Sequence, residues 1–363
     1  MAAKKIGISR DLIIHPGETI AEVLEERRLT QTELAIRTGV SVVYVNNVIA
    51  GKKGISTNFA MGLEYALAVP KSFWLNLQAN YEAELLEINE EDTITEEERM
   101  VREELKEVLQ YLRKRGMVPQ REKKDDSILS LRKGLQISNI ANLREVVPNG
   151  AFRIAAKNKV NPYVLGAWIR LCQLSGNDRA VLAKFDKKNT NELIEEMKSI
   201  MCKKDSNIQK DLKDAMEKYG IDFSIMKNFR GAPVQGYISQ KDESIYQMVL
   251  TIRGSFADIF WFSLFHEIGH IVNGDVGRAL KFIDDGNDSK KETAADLFAR
   301  DMLLSPDSYR AFVAERDFSI EKIMAYAKSQ HVMPYIVIGR LQKEGYLDYA
   351  EFSSYKLRYK WSN

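Results

Sequence analysis

Two of the chain's four histidines stand four residues apart, in Leu264-Phe-His-Glu-Ile-Gly-His-Ile271, and this pair constrains the local fold more than any other feature. Positions i and i+4 share one face of an α-helix, so His266 and His270 bring both imidazoles to one point only if the segment is helical. Two neutral imidazoles at one point suit zinc, at ligand distances of about 2.0–2.1 Å, and the intervening Glu267 is placed as a general base toward water. A catalytic centre of this kind takes a third protein ligand. Glu292, 22 residues after His270 on the next expected helix, completes the set. Asp296 lies one turn further on the same face and can hold a ligand imidazole from behind through its N–H.

The surroundings read as α+β. Gly236-Tyr-Ile-Ser239 and Tyr246–Arg253 carry strand signals, the second being rich in β-branched and aromatic residues. Helices follow over 257–273, 290–303, 319–329 and 334–344, with a Gly/Asp-rich loop around 274–289. The strand over 246–252 is expected to pair with an extended peptide. Tyr237, Tyr246, Arg253 and His331 are all candidates to stabilise developing charge, and no spacing argument selects among them. Trp261, Phe262, Phe265, Leu297 and Phe298 read as core.

A length of 363 residues implies two or three domains, and a 45% apolar share with 29% charged residues excludes a chain that is disordered throughout. Apolar runs are only a few residues long, such as Ile259-Phe-Trp-Phe262, against the roughly 20 that a membrane span needs. The N-terminus carries no apolar signal core, and Cys172 and Cys202 form no disulfide framework, so a cytoplasmic protein is expected. A net charge of +2 conceals uneven segments: residues 1–81 carry +2, 82–107 carry −9 and 108–134 carry +5. The charged blocks read as a solvated helix, a charged helical connector over 89–127 that is partly disordered around Gln120–Ser127, between a domain over 1–88 and later regions. Residues 128–224 read as mostly helical, with 163–174 and 190–219 as helices, and 225–363 as the metal-bearing domain.

In the first eighty residues an amphipathic helix from Glu18 to Arg28 precedes a second helix over about 31–37. Thr30 and Glu33 form its capping box and Gly39 its C-cap. Ser41 caps a third helix, 42–50. Two short helices joined by a Gly-containing turn make a helix–turn–helix, with Ala35, Val40, Val45 and Ile49 packing them together. Ser41, Val43, Tyr44 and Asn47 then face base edges or the sugar-phosphate, while Gln31, Thr32, Lys52 and Lys53 hold phosphates. His15 reads as an anchor of the arm before the first helix.

His15-Pro-Gly-Glu18, Leu24-Glu-Glu-Arg-Arg-Leu-Thr-Gln-Thr-Glu-Leu-Ala35, Gly39-Val-Ser41, Gly51-Lys-Lys-Gly-Ile-Ser56 and Phe73-Trp-Leu-Asn-Leu-Gln78 closely resemble the HigA-type antitoxins, which have a Cro/repressor-like helix–turn–helix. That resemblance, over residues 9–88, implies a homodimer on double-stranded operator DNA and a HigB-type toxin as partner. Asp258-Ile-Phe-Trp-Phe262, Leu264–Ile271, Glu292-x-x-Ala-Asp-x-Phe-Ala299, Leu303-Leu-Ser-Pro306 and Val337-x-Gly-Arg-Leu-Gln342 look like the ImmA/IrrE metallopeptidases. This second likeness, over about 225–345, implies a gluzincin-type zincin fold, zinc as cofactor, and cleavage of a repressor or other transcription factor. The expected architecture is therefore multidomain, an all-α helix–turn–helix domain followed by an α+β zincin-like domain. Two functions stand open: a DNA-binding regulator with a zinc endopeptidase, or a repressor whose zinc domain senses a ligand or partner without cleaving.

Overall fold

The computed structural model describes residues 13–147, 160–175, 181, 183–204, 207–252, 254–276, 282–283 and 289–360. The chain divides into two compact units, Met1–Glu96 and Glu97–Asn363.

The described residues of the first unit build the α-helices α1 (Pro16–Glu26), α2 (Gln31–Thr38), α3 (Val42–Ile49), α4 (Thr57–Leu67) and α5 (Lys71–Ile88). Their starts follow from local chemistry. His15 caps α1, its Nδ1 accepting from the Gly17 N–H at 2.9 Å, and so anchors the arm. Thr30 and Glu33 form the reciprocal capping box of α2, Gly39 ends that helix at φ 72°, and Ser41 caps α3. Ile20, Leu34, Val45, Val48, Phe59, Leu63 and Trp74 are buried in one core, with Ala35 among them and Val40 and Ile49 packed at its margin. A helix–turn–helix thus rests on a scaffold of three further helices.

The second unit corrects the expected connector. Residues 97–127 belong to the same compact unit as the paired histidines, so the unit boundary lies at 96/97 rather than at 88/89 with a free segment behind it. Helices α6 (Glu96–Glu104), α7 (Lys106–Lys114) and α8 (Lys124–Leu135) bury Val101, Leu105, Val108, Leu109, Leu112, Ile128, Leu131 and Leu135. The apolar residues recur at three- and four-residue intervals inside the charged run, so the charges are the solvated face of amphipathic helices. One charge is internal. Glu98, fully buried, accepts from Arg132 at 2.9 and 2.6 Å and from the Ile140 N–H at 3.1 Å. Around Gln120–Ser127, where disorder was expected, Glu122 pairs with Arg113 at 2.9 Å.

Helices α9 (Pro162–Ser175), α10 (Thr190–Cys202) and α11 (Ile208–Glu217) lead to the sheet, the last two replacing the single helical stretch expected over 190–219. The sheet has the order β1-β3-β2-β4, from β1 (Ile221–Met226), β2 (Gly236–Asp242), β3 (Ile245–Thr251) and β4 (Phe282–Ile283). β1, absent from the sequence expectations, pairs parallel with β3, while β2 and β3 form a hairpin with Ser244 at φ 58° in its turn. The long apolar helix α12 (Ala257–Asn273) packs on this sheet and on α13 (Ser289–Leu303), and α14 (Pro306–Ala314), α15 (Ile320–Ser329) and α16 (Pro334–Lys343) complete the core.

The start of α12 is fastened by a segment far along the chain. The Ala257 N–H donates to Leu357 O at 3.0 Å, and the Tyr359 N–H donates to Ser255 O at 2.7 Å. Trp261 Nε1 donates to the Tyr359 hydroxyl at 2.9 Å, and Lys356 Nζ lies 2.7 Å from Asp258.

Removing one partner of a buried, doubly hydrogen-bonded ion pair costs several kcal/mol. Arg132→Met is accordingly expected to destabilise the second unit by about 3 kcal/mol. Urea denaturation followed by circular dichroism checks this, since an unchanged midpoint would make the Glu98 contacts dispensable.

Candidate metal centre

The site is built by two helices that meet closely. At Gly269 an added Cβ would lie 3.2 Å from the Ala295 Cα and 3.1 Å from the Phe298 ring, so a side chain there would force α13 outward. With glycine, α13 comes near enough for Glu292 to reach both histidines. His266 Nε2 is 3.0 Å from His270 Nε2 and 3.2 Å from Glu292 Oε2, and Glu292 Oε1 is 3.7 Å from His270 Nε2. His266, His270 and Glu292 thus form a group that can hold a metal ion.

The other ring nitrogens are already committed. His266 Nδ1 lies 2.8 Å from Asp296, and His270 Nδ1 lies 3.0 Å from Asp275. A carboxylate only accepts, so each Nδ1 carries a proton and each neutral ring turns its Nε2 lone pair inward. Two lone pairs and a carboxylate then converge, an arrangement stable only with positive charge among them. Glu292 Oε1 is buried without a hydrogen-bond partner, as an oxygen awaiting a cation would be. Without one, a proton serves. Burial pulls the His266 imidazole down, but the hydrogen bonds to Asp296 and Glu292 and the charges of Glu267 and Glu292 outweigh it and hold the pKa at about 10. Burial keeps His270 below its usual range, helped by the charge on His266. A divalent cation takes the place of that proton, so the donor set fits a metal.

Asp275 escaped the sequence reading. Gly274, at φ 75°, ends α12 in the left-handed conformation and turns the chain back so that the Asp275 N–H reaches His270 O while its carboxylate reaches the ring. The available signal was Gly274-Asp275, one helical turn after His270, where a C-cap turn returns the next side chain to the last helical turn.

A cleft of about 300 Å³ opens beside the triad, lined by Gln235, Phe262 and Ser263 together with Glu267 and Asp296. Glu267 is 1% exposed and lies under the start of β2, where a Cβ on Gly236 would stand 2.0 Å from its Oε1. Only glycine lets the strand backbone and this carboxylate approach so closely. Gln235, also missed from sequence, accepts at its Oε1 from Ser263 Oγ at 2.8 Å, which fixes the amide at the cleft. Phe262 and Leu297 are 37% and 46% exposed, so they leave the core to which Trp261 and Phe265 belong.

Other expectations are corrected. β3 is flanked by β1 and β2 and has no edge for a peptide. Tyr237 is buried against Trp168, Tyr246 packs on Phe185, and His331 is exposed near Glu195. None of the three lines the cleft, and Arg253 lies outside the described residues.

In the first unit Gln31, Thr32, Ser41, Val43, Lys52 and Lys53 are exposed and Asn47 is half-buried. Tyr44 is half-buried. Its ring meets Phe59 edge-on and its hydroxyl bonds Ser56 Oγ and Gly54 O, so it braces the loop after α3. Lys53 Nζ sits 5.0 Å from that ring, and the Asn47 carbonyl accepts from the Lys52 and Lys53 N–H groups, tying both lysines to the end of α3.

No family model matches the chain, and no curated protein is similar to it. Solved structures do match. A protein described as an antidote of a plasmid maintenance system from Nostoc punctiforme is 34% identical over 22% of this chain and 88% of its own, with a TM-score of 0.21. A HigA-family addiction module antidote from Coxiella burnetii is 28% identical over 23% of this chain and 96% of its own, with a TM-score of 0.21. Antitoxin GraA is 31% identical over 23% of this chain and 95% of its own, with a TM-score of 0.22. The capped helices α2 and α3, joined by the turn at Gly39, make the N-terminal unit a helix–turn–helix domain. Among the described residues no helix is long and apolar enough to cross a membrane.

Loss of a carboxylate that orients a ligand histidine typically lowers metal affinity about 10–100-fold. Asp275→Asn is expected to weaken divalent-cation binding by that factor in competition with a chelating dye. Equal affinity would remove Asp275 from the site.

Proposed function

We propose that this chain is a DNA-binding regulator of the antitoxin type that carries a zinc-dependent endopeptidase of the gluzincin kind in its second unit. The observation that carries the reading is Glu267, buried beside the His266/His270/Glu292 group and pressed against the start of β2. A site that only held or sensed zinc has no use for a carboxylate at that position. When bound, zinc supplies Lewis acidity toward a peptide carbonyl and toward water.

The chain's own residues do the rest. His266, His270 and Glu292 hold the ion, and Asp296 and Asp275 fix the two rings so that both Nε2 atoms stay turned inward. Glu267 accepts the proton of the attacking water and passes it to the departing amine. Gln235 and Phe262 offer an amide and an apolar ring to the peptide entering the cleft. The protein substrate is a repressor or another transcription factor, and a HigB-type toxin is the second protein partner. The first unit binds double-stranded operator DNA as a homodimer, with Lys52 and Lys53 on phosphates, in the cytoplasm.

Elemental analysis of the purified protein should find one zinc per chain, lost in His266→Ala. Glu267→Gln should keep the zinc and the DNA binding but lose cleavage, read by comparing the proteomes of cells that express the two forms. Identical fragment patterns would leave as the function a repressor whose zinc domain senses a ligand or partner. Replacing Lys52 and Lys53 by Ala should weaken binding at most DNA sequences and reduce the salt slope by about two, roughly one per phosphate contact, in titrations at several salt concentrations.

A further inference from the structure

α3 is Val42-Val-Tyr-Val-Asn-Asn-Val-Ile49, and it contains neither arginine nor lysine. The commonest direct contact in the major groove, a cation donating to guanine O6 and N7, is therefore absent from the helix that enters the groove. Its outward side chains are Val42, Val43 and Asn46, with Asn47 half-buried beside them. Val45 and Val48 are fully buried in the core of the first unit, yet Val43 is 68% exposed and Val42 36% exposed. Both lie in the first turn, directly after the Ser41 cap, which is the part of a recognition helix that meets base edges. Two adjacent β-branched residues held toward water gain burial free energy when a partner covers them with something apolar.

The major groove offers one apolar group, the C5-methyl of thymine. The flanks of the helix favour DNA as the covering partner: Lys52 and Lys53 are exposed at its far end, and Gln31 and Thr32 are exposed at the start of α2. A fluid apolar protein surface would gain nothing from those lysines, whereas a duplex presents phosphates beside its methyl groups.

We infer that Val43, with Val42 beside it, reads thymine methyl groups, so that this protein selects its operator by apolar contact at A·T pairs rather than by hydrogen bonding to guanine. The inference rests on the DNA-binding reading of the first unit. It makes sequence selectivity depend on single methyl groups, which chemistry can remove one at a time without altering base pairing.

The test uses the full-length chain. A random duplex library is enriched on the protein, and the selected site is then synthesised with each thymine replaced singly by deoxyuridine. Because burying one methyl is worth roughly 0.8 kcal/mol, affinity should fall about four-fold at the contacted thymines. In Val42→Ser/Val43→Ser, exposed positions where serine suits a first helical turn, thymine and deoxyuridine duplexes should bind equally, with the thermal midpoint showing that the fold is kept. Two results overturn the inference while leaving DNA binding intact: a selected site whose deoxyuridine duplexes all bind the wild type as tightly as thymine, or a double serine variant that still discriminates. Duplexes retained without enrichment of any sequence overturn this inference alone, whereas retention of no duplex at all overturns the DNA-binding reading itself, and this inference with it.

Discussion

Two imidazole nitrogens held 3.0 Å apart in a buried helix are the constraint to which the second unit is built. Each ring has its outer nitrogen fixed by a carboxylate, so neither can rotate to relieve the inner contact without leaving Asp296 or Asp275 unbonded. Neighbouring features serve this arrangement. Gly269 allows the second helix to bring Glu292 in, Gly274 returns Asp275 to the helix it follows, and Gly236 lets a strand lie over Glu267. Electrostatics then demand positive charge at the centre, and in the protein alone that demand falls on His266.

The histidine spacing and the Glu292/Asp296 pair were legible because both depend only on helical periodicity, which short sequence windows carry. Asp275 was not, since its role depends on a left-handed turn that joins a helix end to its own last turn. The sheet was legible as strands but not as an order. β3 has a clear strand pattern, yet whether its edges are free depends on β1, and Ile221–Met226 lies about 20 residues upstream of it. The charged connector misled for a different reason. Net charge counts side chains without direction, while Val101, Leu105, Val108 and Leu112 form an apolar stripe through the same segment. Glu98 shows the limit of that arithmetic, because a carboxylate that looks solvated in composition is the one buried deepest.

In the first unit the caps were readable almost residue by residue, since Thr30, Glu33, Gly39 and Ser41 act on backbone groups next to them. The bracing contacts of Tyr44 were not readable, because its partners, Phe59 and Ser56, come from the following helix and its cap. An aromatic ring in a recognition helix can turn to DNA or to its own scaffold, and only packing decides between them. The same packing explains the exposure of Val43, because α3 has just one face for the core and Val45 and Val48 occupy it.

The fastening of the metal helix also sets an order in time. Trp261 and the tyrosine that caps its indole are 98 residues apart, so the helix leaves the ribosome well before its clasp exists. At about 5–20 residues per second, synthesis takes roughly 5–20 s to deliver residues 356–359. The helix–turn–helix unit, whose core closes within its own residues, is complete before that interval begins. A nascent chain therefore holds a closed helical first unit while the start of the histidine-bearing helix still lacks its clasp.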